Sequence, residues 1–187
     1  MPKNLSFFEI ARWGCVLLAL ILLTVMFGGN SPSSANAEDV AAAVTETIDM
    51  TNMLKAENQM VKRLYGLDPA AFESCILYYP TTNMMAEELL IVKLSDVSQQ
   101  ETVRKAVEAR IATQKNTFEG YGVEQFEMLS NNAVVEVRGN YVLFVVTAAS
   151  AAAQKAFLAR FKEGGIWLLM NCISCSSSSR WFCSCIS

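Results

Sequence analysis

Apolar positions divide the chain into three stretches with different rhythms. The first contains a solid block, WGCVLLALILLTVMF from Trp13 to Phe27, in which no residue is charged. Its length matches the upper end of a signal-peptide core and the lower end of a membrane span, and Gly28 to Ser34 add uncharged length with little hydrophobicity. The middle stretch, 38–163, is patterned instead of solid. The last, 164–187, has one short apolar run, Ile166 to Met170, followed by serines and cysteines.

In the middle stretch, spacing predicts alternating helices and strands. Val40, Val44 and Ile48 form the stripe of a helix over Glu38 to Ile48, and Asp49, Thr51 and Asn52 interrupt it. A second helix, from about Lys55 to Tyr65, separates Met60, Val61 and Leu64 from Lys62 and Arg63 and ends at Gly66. Asp68-Pro69 starts a short third helix, with Asp as N-cap and Pro at the first turn. Cys75 to Tyr79 and Ala86 to Leu94 then have strand length and suit an antiparallel hairpin.

Ser98 with Glu101 reads as a capping box for the best-marked helix, whose stripe is Val103, Val107 and Ile111, with Glu101/Lys105 and Arg104/Glu108 outside. Gly120 and Gly122 end it, and a shorter helix follows from Val123 to Leu129. Ala133 to Val137 and Tyr141 to Thr147 flank Arg138-Gly139-Asn140, a hairpin turn. Because YVLFVVT is apolar on both faces, it should be an interior strand. Ser150 to Phe161 closes the domain as an Ala-rich helix. The order ααα-ββ-αα-ββ-α predicts an α+β domain: one antiparallel sheet of two hairpins, about four strands, with helices packed on at least one face and an N-terminal hydrophobic helix before it.

Charge sharpens the division. The 187 residues suit one domain with appendages. Twelve of the fifteen Lys/Arg and seventeen of the eighteen Asp/Glu fall within 38–163, an acidic domain of net charge −5. Lys3 and Arg12 precede the apolar block and outweigh Glu9, so the amino end stays in the cytoplasm and the domain is exported. Ala35-Asn36-Ala37 before Glu38 has the small residues a signal peptidase accepts. The segment 1–37 therefore reads either as an uncleaved single-pass anchor or as a signal peptide, leaving a secreted domain if cleaved after Ala37. Cys15 precedes the apolar block, the wrong side for a lipoprotein cysteine.

The chain has no His, which excludes Ser-His-Asp and Cys-His nucleophiles, HExxH zinc proteases and His-ligated haem. An acidic pI near 5.1 argues against a nucleic-acid partner. No G-x-S-x-G, Walker loop, G-x-G-x-x-G or C-x-x-C occurs in the middle stretch, so no catalytic residue and no cofactor is assigned. Three residues stand out as binding candidates. Glu88 is one, although as a strand carboxylate it reads first as an exposed edge residue. Gln114 is placed by spacing on the exposed face of the long helix. Tyr121 belongs with Tyr65, Tyr78, Tyr79 and Phe118 to a set of aromatics that line a ligand groove or else lid the core. Glu87 and Glu88, adjacent in a strand, point to opposite faces and cannot work as a pair.

In the tail, Cys172, Cys175, Cys183 and Cys185 have the spacing C-x2-C-x7-C-x-C, a donor set for zinc or for disulfides. The C-x-C pair and the SSSSR between the pairs are poor for a structural zinc site. The tail reads chiefly as an unstructured Ser/Cys-rich extension.

Four strings carry a resemblance: LYGLDPAAFE (64–73), AEELLIVKLSD (86–96), QKNTFEGY (114–121) and NNAVVEVRGNYVLFVV (131–146). In that order, over about residues 40–160, they resemble the bacterial domain-of-unknown-function family numbered 4358. The resemblance implies a small exported or membrane-anchored protein, mainly of Gram-positive bacteria, with no established activity. Genes of the family often neighbour those for membrane O-acyltransferases of cell-envelope polymers. Two departures stand against the family pattern: Val123 where a Pro is usual, and the continuation beyond the last helix.

Together these features predict a non-catalytic accessory or binding module of the bacterial cell envelope, tethered by its N-terminal helix, with a cell-envelope membrane protein as the expected partner. The alternatives are a thiol-based redox or metal-binding protein acting through the tail cysteines, and a hydrolase using carboxylates alone.

Overall fold

The computed structural model describes residues 13–16 and 33–162. Most of the N-terminal apolar block and the tail, with Cys172, Cys175, Cys183 and Cys185, lie outside the described residues. No helix among the described residues is long and apolar enough to cross a membrane.

The domain begins with α1 (Ala37–Thr45), followed by the short strand β1 (Met53–Lys55), α2 (Asn58–Tyr65) and a 3-10 turn (Pro69–Ala71). Strands β2 (Ser74–Pro80) and β3 (Glu88–Lys93) come next. After a second 3-10 turn (Val97–Gln99) come α3 (Gln100–Phe118) and α4 (Val123–Asn131). The last elements are β4 (Val134–Arg138), β5 (Tyr141–Val146) and α5 (Ser150–Lys162). The five strands form one antiparallel sheet in the order β1-β2-β3-β5-β4. The α+β class, the two hairpins and the interior position of Tyr141–Val146 agree with the sequence reading.

Helices cover both faces of the sheet, which explains why β3 and β5 are apolar almost throughout. On one face Leu77, Leu90, Val92, Val142, Phe144 and Val146 pack under α2, α3 and α4. Ile76, Leu89, Ile91, Tyr141, Leu143 and Val145 point to the other face, where Val40, Val44 and Phe157 of α1 and α5 close over them. The alternation follows from the period of two along each strand.

Three sequence expectations are corrected. Lys55 belongs to a fifth strand, not to a helix: Met53–Lys55 pairs with Tyr78–Pro80 along the sheet edge. Three residues are too few to show a period, so the strand is invisible to pattern reading. The third helix is a single 3-10 turn, although Asp68 does cap it by accepting from the Ala70 N–H at 3.2 Å. The capping box lies two residues before the Ser98/Glu101 pair. Asp96 accepts from the Ser98 N–H at 2.7 Å and the Gln99 side chain returns to the Asp96 N–H at 3.2 Å, supplying the same two acceptors one 3-10 turn earlier.

The chain entering the domain is built into it. The Ser33 N–H donates to Asn140 Oδ1 at 2.9 Å, and the Tyr141 hydroxyl donates to the Ala35 carbonyl at 2.6 Å. Asn36 caps α1 by accepting from the Glu38 N–H, and Ala37 is buried.

Candidate functional site: a buried carboxylate clamp

Glu88 opens β3, an interior strand hydrogen-bonded to β2 and β5, and its side chain shares a face with Leu90 and Val92 beneath α3. It is 0% exposed. The expectation of an exposed edge carboxylate is therefore wrong: the strand is interior, and its edge position was assumed because the pairing of Tyr141–Val146 against it could not be read from sequence.

Four donors from three residues converge on this carboxylate. Arg110 approaches with Nε at 3.1 Å and Nη2 at 3.0 Å from Oε2. Gln114 Nε2 donates to Oε2 at 2.9 Å, and the Tyr65 hydroxyl donates to Oε1 at 2.6 Å. Arg110 and Gln114 are four residues apart on α3 and so face the strand together, while Tyr65 ends α2. The Arg110 side chain is 16% exposed and reaches the surface only with its outer edge.

Gln114, expected on the exposed face, is 5% exposed. The stripe Val103, Val107, Ile111 was extended in steps of four, and each such step precesses about 40° around a helix of 3.6 residues per turn. The inward line instead runs Val103, Val107, Arg110, Gln114, Phe118, of which all but the half-buried Arg110 are buried, and Ile111 is half-buried beside it. Arg110 was missed for the same reason. The signal was present: a polar pair four apart, falling where the apolar stripe must continue to reach Phe118.

Burial first, then the nearby Glu88 charge and the hydrogen bond to it, push the Tyr65 phenol well above the usual tyrosine range. The group therefore stays a donor across working pH. Gln114 Oε1 is the one buried side-chain oxygen or nitrogen without a hydrogen-bond partner among the described residues. Chemically the arrangement is a clamp. Both carboxylate oxygens accept from internal donors, and the carboxylate faces the Arg110 guanidinium.

Other sequence candidates lie elsewhere. Tyr121 is exposed, rests its ring against Phe118 with 6.1 Å between centroids, and makes no hydrogen bond to Glu88. Glu87 is half-buried just before β3. Tyr79 lines an open groove of about 770 Å³ with Lys55, Glu57, Met60, Lys62 and Arg63. Two of its cations are already matched, Lys55 by Glu38 at 3.3 Å and Lys62 by Asp68 at 3.1 Å. Among the described residues, no group of three or more His, Cys, Asp or Glu is placed to hold a metal.

The model of the family described as "Domain of unknown function (DUF4358)" matches residues 46–147, which hold the whole clamp. No curated protein and no solved structure matches the chain. With more than half of its length covered, strands β1 to β5 and the clamp included, this chain belongs to that domain-of-unknown-function family, numbered 4358.

Proposed function

We propose that the protein is a membrane-tethered, extracytoplasmic binding or accessory module of the cell envelope, and that it does no chemistry of its own. The observation that carries this reading is the seating of Ser33–Ala37. This segment, five residues after the apolar block in sequence, makes hydrogen bonds through Ser33 and Ala35, caps α1 through Asn36 and buries Ala37. Cleavage after Ala37 would remove these contacts, so the geometry favours an uncleaved anchor that holds the domain close to the bilayer. Lys3 and Arg12 ahead of the block favour export of the domain.

The clamp supports the non-catalytic part. A carboxylate-only hydrolase needs a second carboxylate across a cleft, whereas Glu88 faces a guanidinium. The reading through the tail cysteines concerns residues outside those described.

Protease added outside intact spheroplasts should degrade the domain, and the intact mass of the membrane-extracted protein should include residues 1–37. Protection of the domain would reverse the topology. A mature chain starting at Glu38 would replace the tethered protein with a secreted one.

A further inference from the structure

Four of the six large exposed apolar side chains within residues 33–162 lie on α4 or beside it; Leu54 and Val97 are the other two. Tyr121, Val123, Phe126 and Met84 are between 38% and 67% exposed. Val123 and Phe126 stand one turn apart on the outer face of α4, and Tyr121 precedes its N-cap Gly122. Met84 belongs to the β2–β3 loop, which is tied to α4 where the Ala86 N–H donates to Gln125 Oε1 at 2.9 Å. The turn that presents them is tightly packed against Phe118. A Cβ on Gly122 would lie 2.6 Å from Phe118 Cδ1, and Gly120 holds a φ of 90°, a conformation that favours glycine.

The surroundings of this patch are acidic. Glu119, Glu124 and Glu127 are exposed around it, and Glu87 is half-buried beside the loop. No Lys or Arg occurs in 64–92 or in 116–137. The patch adjoins the Glu88 end of β3, whereas Ser33 and Ala35 meet Asn140 and Tyr141 at the Lys93 end. A six-residue strand, roughly 20 Å, separates the two ends. An anionic lipid surface would be repelled by the glutamates.

We infer that this acid-rimmed apolar patch is a docking surface for a protein segment that carries apolar side chains flanked by Lys or Arg. The apolar groups supply the buried area and the glutamates supply orientation and rate of encounter. The inference deepens the binding-module reading by naming the partner's chemistry, but its test does not depend on topology.

The full chain in detergent is titrated with two synthetic amphipathic helical peptides that share one leucine face, one with a lysine polar face and one with a glutamate polar face. The lysine peptide should bind, more weakly as salt rises, and the glutamate peptide should not. Val123→Ser or Tyr121→Ser should weaken binding about tenfold, and Glu124→Gln with Glu127→Gln should weaken it and flatten its salt dependence. These exposed substitutions should leave the unfolding midpoint unchanged, which separates lost docking from lost folding. Absence of lysine-peptide binding, equal binding of both peptides, or binding unaffected by the substitutions would overturn the inference. So would self-association of the chain abolished by Val123→Ser, which would assign the patch to a second copy. A secreted or inverted topology with intact peptide binding would sink the tether and leave the docking surface standing.

Discussion

At the scale of single residues the clamp dominates. Glu88→Gln leaves the Arg110 guanidinium without its counter-charge and should cost about 3–5 kcal/mol in urea unfolding. Tyr65→Phe removes one donor to a charged acceptor and should cost about 1.5–3 kcal/mol. Glu88→Leu combined with Arg110→Leu should cost less than Glu88→Gln alone, because no buried charge is left behind; an additive loss would show that the pair does not act as a unit. Cys75 gives a pH signature. Burial pushes its thiol up to about 12 from an ordinary 9.0. The folded state then holds its proton more tightly than the unfolded one, so this contribution to stability is complete below pH 9 and declines as pH rises toward 12. Cys75→Ala should flatten that alkaline decline, and the Cys75 thiol should react with maleimide far more slowly in the native than in the urea-unfolded protein at neutral pH. Glu88 and Gln114 were visible in the sequence as unusual residues, but not as a pair. Their meeting depends on a contact between β3 and α3 across 26 residues, and no local pattern encodes it.

At the scale of elements, period and punctuation carried most of the information. Val103 and Val107, Phe157, and the alternating faces of β3 and β5 are buried as their spacing requires, and Gly66 ends α2 at a φ of 66°. What failed was short or depended on partners: the three-residue β1, the 3-10 turns, and the phase of α3 beyond Val107. The clamp also bears on strand register. A one-residue slip of β3 would turn Glu88 away from Arg110 and into the apolar layer of α1 and α5, so the buried charge penalises the wrong pairing. Val107→Asp should abolish folding, since it places an unpaired charge at a fully buried position of α3 at a cost of about 3–5 kcal/mol. Arg104→Ala should change the midpoint by less than about 0.5 kcal/mol, because its pairs with Glu101 and Glu108 are exposed. A cooperative transition for Val107→Asp near that of the parent would show that α3 packs by another face.

At the scale of the whole molecule, the two functional ideas sit at opposite ends of the sheet. The Lys93 end receives the N-terminal segment, and the Glu88 end carries both the clamp, which joins β3 to α2 and α3, and the acid-rimmed patch beside it. The contacts of Ser33, Ala35, Asn36 and Ala37 predict that the entry segment is part of the folded unit and not a loose linker. Two truncated chains test this, one starting at residue 33 and one at Glu38, both ending at Lys162. The shorter lacks the Asn36 cap, the acceptor for the Tyr141 hydroxyl, the Ser33 bond to Asn140 and the burial of Ala37. Loss of a helix cap costs about 1 kcal/mol, and an unpaired buried hydroxyl costs about 1–3 kcal/mol. The chain from Glu38 should therefore unfold at a clearly lower urea concentration with a similar m-value, and Tyr141→Phe should narrow the gap between the two. Equal midpoints would make Ser33–Ala37 a spacer without structural weight, and would remove the main physical reason for an uncleaved anchor.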